Sequence, residues 1–426
     1  MLKIVYGAPK MNAGRDVQDT SKYEEIVKDI IKDVRVNGDE ALLKYARKFD
    51  CETLESLKVT QAEIDEAVGM MDEGFMAILK EAKENIENYH KNQKREGFSM
   101  TLENGVKMGQ VILPLESVGA YVPGGTAAYP SSVFMNLIPA RIAGVKRIVL
   151  TTPAGRDGKI PAPLLAAANL CGVNEIYKTG GAQAVAALAF GTDTIPRVDK
   201  VVGPGNIYVT LAKKQLFGTI GIDMTAGPSE ILILADEKSN PAFVAADLLS
   251  QAEHDKLASA ILVTNSLSLA EKVNIELEKQ LETLPRNEIA KASLLANGCA
   301  YIVKDMDEAV EAANLCAPEH LEICVDEPFR YLPKIRAAGS IFLGRYTPEP
   351  LADYMAGPNH VLPTSGSARF FSPLSVDDFV KKSSYLYYTE EATKAISAKV
   401  AAFARSEGLE AHARSALIRA GEDFEK

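Results

Sequence analysis

Hydrophobic and polar positions divide the chain into two rhythms. Residues 15 to 50 and 60 to 95 repeat apolar side chains at three- and four-residue intervals among charges, the period of an amphipathic helix. The first stretch contains SKYEEIVKDIIKDVRVNG, predicted to close at Gly38. The second, EIDEAVGMMDEGFMAILKEAKENIENYH, reads as one helix with a solvated His90 at its polar end. From about Gly105 the period shortens to that of strands, in GVKMGQVILPL and SVGAYVP.

Strands and helices then alternate. SVGAYVPGG leads into a helix near Ser131 to Ala143, RIVLTT to PAPLLAAANLCG, EIYKT to GGAQAVAALAFG, and VDKVVGPG to NIYVTLAKKQLFG. SEILILAD leads to SNPAFVAADLLSQAEHDKL, ASAILVTN to SLAEKVNIELEKQL, and CAYIVKD to DEAVEAANLC. Short apolar strands followed by longer helices are the mark of parallel α/β sheets. Up to seven such pairs are too many for one small sheet and lack a barrel's regularity. The pattern therefore predicts an α/β protein of two doubly wound, Rossmann-like domains with parallel-rich sheets, meeting at a cleft, plus small N- and C-terminal segments. The expected division is a segment 1–20, a discontinuous domain of 21–118 with 232–372, a domain of 119–231, and a tail of 373–426.

Residues 345 to 373 show no period and are rich in Pro, Gly and Ser, which marks a functional or disordered loop. Asp353, Asn359 and His360 inside it favour function. LSVDDFVKKSSYLYYT then resembles a short helix and strand. Residues 390 to 406 read as an amphipathic helix through Ile396, Val400 and Phe403; Gly408 breaks it, and a last helix carries His412. Such a tail, outside both sheets, suits packing on another subunit.

Composition narrows the class. The 426 residues exceed one core, and 47% hydrophobic with 24% charged residues is ordinary globular content. A net charge of −10 argues against general nucleic-acid binding. No apolar run approaches the ~20 residues of a membrane span, and no secretory signal is visible, so no membrane partner is expected and a cytoplasmic location is. The five cysteines form no CxxC pair and are odd in number, which disfavours a disulfide framework or thiolate zinc site. Cys171, Cys316 and Cys324 read as small buried hydrophobes.

Four local signals carry chemistry. In SNPAFVAADLLSQAEHDKL, Ser239 or Asn240 suits a helix cap and Pro241 the first turn, and Gln251 and His254 emerge one turn apart, able to share a metal ion. Three glycine-rich turns, at 121–125, 179–183 and 203–206, open helices whose N–H groups suit a phosphate, although none is a complete GxGxxG. In Ala317-Pro-Glu-His-Leu321, the proline keeps Glu319 and His320 on an extended loop, an acid–base pair suited to proton transfer near neutral pH. The fourth is the irregular loop itself.

GPGN at 203–206, AGPSE at 226–230, QAEHD at 251–255, APEHLE at 317–322, DYMAGPNHVLPT at 353–364 and EGLEAHARS at 407–415 occur in that order. Together they resemble the L-histidinol dehydrogenase family, the zinc- and NAD-dependent enzymes that end histidine biosynthesis, from about residue 20 to 415. The resemblance implies one zinc per subunit, held by Gln251, His254, Asp353 and His412, with Glu319 and His320 as the acid–base pair. It also implies NAD against Tyr121, Gln183 and Asn206. The substrate L-histidinol would meet Ser229 and Glu407 together with His320 and the zinc ligands. It implies a homodimer with shared active sites, in which the tail carries Glu407 and His412 to the partner's site. The NAD side would be 119–231 and the substrate and zinc side 21–118 with 232–372. A paralogue oxidising another amino alcohol or diol, a zinc hydrolase and a two-domain binding protein are the rival readings, and His360 is left without a role.

Overall fold

The computed structural model describes residues 1–9, 20–124 and 128–422. Gly125, the last residue of the first glycine turn, and residues 10–19 of the expected segment 1–20 lie outside the described residues. The chain forms two compact units: Met1–Gln93 with Leu115–Phe379, and Lys94–Pro114 with Val380–Lys426.

The first unit opens with strand β1 (Lys3–Tyr6) and helix α1 (Ser21–Phe49). Gly38 does not close α1. It takes φ 49°, ψ −126°, and the helix kinks there and resumes, burying Val27, Ile30 and Val34 before the kink and Ala41, Leu42 and Ala46 after it. The stretch read as one helix over 60–95 is two, α2 (Gln61–Gly69) and α3 (Glu73–Lys91). Asp72 starts the second by accepting a hydrogen bond from the Phe75 N–H, a local cap that outcompetes continuation of the first. His90 at the end of α3 is fully buried, not solvated: its Nδ1 lies 2.7 Å from Gln93 Oε1 and its Nε2 3.4 Å from Asn359 Nδ2.

In the second unit, β2 (Phe98–Thr101) and β3 (Lys107–Pro114) pair antiparallel. The first unit resumes with β4 (Ser117–Tyr121), α4 (Pro130–Ala143), β5 (Arg147–Thr152), α5 (Ala162–Leu170), β6 (Ile176–Lys178), α6 (Gly181–Phe190), β7 (Lys200–Val202), α7 (Ile207–Leu216) and β8 (Gly221–Ile222). These strands form a parallel sheet of order β6-β5-β4-β7-β8, with the topological switch point between β4 and β7.

A second parallel sheet takes β9 (Glu230–Ala235), α8 (Pro241–Ala252), β10 (Ser259–Thr264), α9 (Leu267–Leu281), α10 (Asn287–Asn297), β11 (Cys299–Ile302), α11 (Met306–Cys316), β12 (His320–Cys324) and β13 (Ser340–Leu343). Its order is β1-β11-β10-β9-β12-β13, again with a switch between β9 and β12. Every residue of β9, β10 and β12 is buried, because helices cover both faces of the sheet. Alternation divides the side chains: Ile231 and Ile233 join the core under α8 and α9, while Leu232 and Leu234 join that under α11. The architecture is α/β with two doubly wound, parallel-rich sheets, and all seven predicted strand–helix pairs are present.

Within the irregular stretch 345–373 lie a short helix, α12 (Pro350–Tyr354), and a 3-10 turn at Ser367–Arg369. In the second unit, β14 (Val380–Tyr387) pairs antiparallel with β3, and α13 (Glu390–Ser406) packs on α14 (Glu410–Leu417). Ala392, Ser397, Ala401 and Ala404 are buried, since small side chains let α14 approach closely, and Ile396, Val400 and Phe403 point outward.

Candidate active site

Two clusters of polar side chains stand at ends of the two parallel sheets. At the carboxyl ends of β4 and β7, beside the switch point, lie Tyr121 and the turn from Gly203 to Asn206. Tyr121 is buried, and its hydroxyl accepts a hydrogen bond from the Gly181 N–H at 3.2 Å, at the start of α6. Burial pushes the phenol up to about 12, with Asp50 adding to the rise and the Gly181 N–H opposing it. Gln183 is buried in the first turn of α6. Asn206 caps α7, its Oδ1 accepting from the N–H groups of Tyr208 and Val209 at 3.1 and 3.3 Å. The turns thus bring all three residues to one edge of the sheet, but some helix N–H groups expected to be free already have protein partners.

The second cluster sits at the opposite, amino ends of β9 and β12. His320 is the first residue of β12, not part of a loop: it pairs with Ile231 and Ser340 in the ladder, and only Glu319 stays outside. The His320 Nδ1 lies 2.9 Å from the Glu230 carbonyl oxygen, which commits Nδ1 to donate. Nε2 is left with its lone pair, 3.8 Å from Glu349 Oε1. Burial lowers the imidazole to about 4, against the opposing pull of Asp353 and the Glu230 carbonyl, so it is neutral at pH 7. Glu319 Oε2 accepts from the Glu230 N–H at 2.8 Å and lies 3.6 Å from His320 Nδ1. Burial raises this carboxyl well above its ordinary value, the Glu230 N–H pulls it down, and Glu230, Asp353 and Glu349 add to the rise.

Acidic groups that the sequence reading did not single out complete the cluster. Glu349 is buried and pushed up to about 9, first by burial and then by Asp353 beside it. Its backbone N–H donates to Glu322 Oε1 at 2.9 Å, and Ser250 Oγ lies 3.4 Å from its Oε2. Glu322, on the same face of β12 as His320, is raised well above normal by burial and by Asp247, itself pushed up to about 6 by burial. Glu322 belongs to the APEHLE motif and follows His320 by the two-residue strand period, which was its only signal. Glu349 sits in an aperiodic Pro-Glu-Pro stretch that offered none.

The helix α8 runs back from the carboxyl to the amino end of β9, which brings Gln251 to this cluster. Asn240 caps it, accepting from the Ala242 N–H. Gln251 is buried and its Oε1 has no hydrogen-bond partner, a costly state for an amide oxygen unless a donor or a cation meets it. His254 lies at the exposed rim, yet the protein packed around it lowers its imidazole; Asp353 and Glu253 pull it up, and Arg286 and His360 add to the lowering. Asp353 Oδ1 is 3.6 Å from His360 Nδ1, and His360 Nε2 is 3.2 Å from Ser132 Oγ on α4. Ligating atoms of His320, Glu349 and Asp353 lie within 4.8 Å of one another. Of the four ligands expected from sequence, only Asp353 belongs to that group; His254 interacts electrostatically with Asp353, and Gln251, with its orphaned oxygen, follows Ser250, which reaches Glu349. This nitrogen and oxygen donor set fits zinc. Ser229 is half-buried directly before β9. Glu407 follows the last residue of α13 and His412 lies on α14, both exposed and both in the second unit.

Glycine turns at the switch point of one parallel sheet, with a buried acid–base pair on another, are the features of an α/β enzyme. The family model described as histidinol dehydrogenase matches residues 13–420. A histidinol dehydrogenase of Clostridium acetobutylicum is 56% identical over 405 residues, 95% of this chain and 94% of its own length. One from Geobacillus kaustophilus is 58% identical over 94% of each chain, and one from Bacillus subtilis 54% over 98% of each. A crystal structure of histidinol dehydrogenase from Elizabethkingia anophelis superposes with a TM-score of 0.92 at 37% identity, covering 98% of both chains. The chain belongs to the histidinol dehydrogenase family. Among the described residues, no helix is long and apolar enough to cross a membrane.

Proposed function

We propose that this protein oxidises L-histidinol to L-histidine through L-histidinal, consuming two NAD per turnover, as the final step of histidine biosynthesis. The observation that carries the reading is His320: its Nδ1 is held by the Glu230 carbonyl, so a neutral imidazole presents a basic Nε2 inside a buried site. His320 takes the hydroxyl proton of the alcohol through Nε2. Glu319, buried beside it, orients and deprotonates the water that attacks the aldehyde, and burial raises its carboxyl, which makes its carboxylate a stronger base. Gln251, His254 and Asp353, with His412, would hold one zinc per subunit. Tyr121, Gln183 and Asn206 line the NAD side, while Ser229 and Glu407 contact substrate. When bound, NAD accepts the hydride of each oxidation and zinc positions the substrate through its amino and imidazole nitrogens.

The buried cysteines support a route without a thiol nucleophile. Burial pushes Cys171 up to about 12 and Cys324 higher still, so neither is a thiolate at neutral pH. The remaining elements of the reading are a cytoplasmic homodimer with shared active sites, a substrate and zinc domain of 21–118 with 232–372, and an NAD domain of 119–231. The test is the yield of NADH per mole of L-histidinol, with and without a zinc chelator. Two NADH, lost on chelation and restored by zinc, are expected. Folded, zinc-loaded protein that makes no NADH from histidinol would sink the reading.

A further inference from the structure

A lysine and an aspartate buried behind the NAD-side turn play no part in the chemistry above. Lys213 lies on α7 and Asp223 just after β8, with side chains 3% and 0% exposed. They form an ion pair, and both grip the same residue. Lys213 Nζ donates to the Gly203 carbonyl oxygen at 3.0 Å, and Asp223 Oδ2 accepts from the Gly203 N–H at 2.8 Å. The other Asp223 oxygen accepts from the Met224 N–H at 2.7 Å. Between them the two side chains satisfy three buried backbone groups that would otherwise be left without partners. What the pair does is geometric, because it holds both polar groups of a single peptide residue.

That residue is the hinge of the nucleotide edge. Gly203 follows β7 at the switch point with φ +109°, and a Cβ there would lie 2.1 Å from the Tyr121 carbonyl oxygen. Its backbone therefore rests directly on Tyr121, whose hydroxyl in turn accepts from the first N–H of α6, the helix that carries Gln183. On its other side, Gly203 leads through Pro204 and Gly205 to the Asn206 cap of α7, the helix that bears Lys213.

We propose that the Lys213–Asp223 pair is a positioning brace for nicotinamide dinucleotide: by fixing the Gly203 peptide it sets the mutual placement of Tyr121, Gln183 and Asn206. The inference rests on the functional reading above. It predicts a defect confined to the dinucleotide, since no atom of the pair reaches the histidinol cluster through the contacts described. The experiment uses the full-length zinc-loaded protein and three variants: Lys213→Met, Asp223→Asn, and the double variant Lys213→Met with Asp223→Leu. Folding is followed by thermal melting, NADH binding by fluorescence titration, and kinetics by varying each substrate in turn.

In the folded variants, KM for NAD and Kd for NADH are expected to rise about tenfold, with KM for histidinol and kcat at saturating NAD within about twofold, consistent with loss of a charge-assisted positioning contact. The double variant removes both charges but leaves the Gly203 and Met224 backbone groups unpartnered, so it should lose dinucleotide affinity at least as far as the single variants when titrated well below its own melting transition, which separates placement from global unfolding. Three results would overturn the brace: unchanged NADH affinity in a folded variant, equal losses for both substrates, or failure of all three variants to fold. Wild-type protein that turns over histidinol with no NADH binding would instead remove the functional reading, and the brace with it.

Discussion

At His320 one backbone carbonyl decides the chemistry. Because Glu230 O occupies Nδ1, the imidazole that leaves water is already in the tautomer with Nε2 free. Substituting Ala for His320 should lower kcat by roughly 10²- to 10⁴-fold for both oxidations, the usual worth of a positioned base, with NADH affinity intact. Glu319→Gln should retain the first oxidation and slow the second, so that rapid-quench analysis finds close to one NADH per histidinol and released aldehyde. The adjacent Glu and His were legible in the sequence. The Glu230 and Glu349 partners were not, since they lie 90 and 29 positions away and meet His320 only through strand pairing and the return of the chain into α12. His90 reverses its predicted setting for the same reason: the Asn359 segment folds over a helix end that its own charges suggested was wet. Burial lowers its imidazole below 6.5 while Gln93 opposes the shift. In the window below 6.5 and above its folded value the unfolded chain takes up a proton that the native chain refuses, so stability falls as pH falls there. Comparing urea midpoints of wild type and His90→Gln from pH 8 to pH 5 should show the wild type losing more, at a slope up to about 1.4 kcal/mol per pH unit for the one proton.

At the scale of elements, local signals and tertiary demands divide unequally. The Asn240 cap of α8 was readable, whereas Asp72, which starts α3, was passed over inside a stretch read as one helix. The Gly38 kink was not readable either, because glycine stops a helix in one context and bends it in another, and here both halves of α1 have apolar faces to bury. Its φ and ψ lie where only glycine is comfortable, while the space around a Cβ is open, with Thr192 Cβ 3.8 Å away. Gly38→Ala should therefore cost about 1–3 kcal/mol from backbone strain alone, measurable as a lower urea midpoint with unchanged slope. The helix α13 was readable, but its contact with α14 was not, because alanines, weak as a hydrophobic signal, are what close packing selects.

For the whole molecule, the two sheets use opposite ends. Glycine turns serve the carboxyl ends of β4 and β7, whereas the acid–base cluster occupies the amino ends of β9 and β12, where antiparallel α8 returns Gln251. If sites are completed by the tail of a second subunit, inactive His412→Ala and inactive His320→Ala proteins should regain part of the activity when their subunits are exchanged. Absence of recovery, with hybrid formation verified by mass spectrometry, would count against shared sites.

Sequence by itself determined the alternation of strands and helices, the capped start of α8 and the adjacent acid–base pair, because each rests on interactions within a few residues. It also carried the family, since separated motifs kept their order. Tertiary structure alone decided which carboxyls gather around His320, which imidazole is dry, and how a lysine on α7 comes to hold a glycine on β7's turn. Those outcomes depend on desolvation and on contacts between distant segments, quantities that do not exist until the chain has packed.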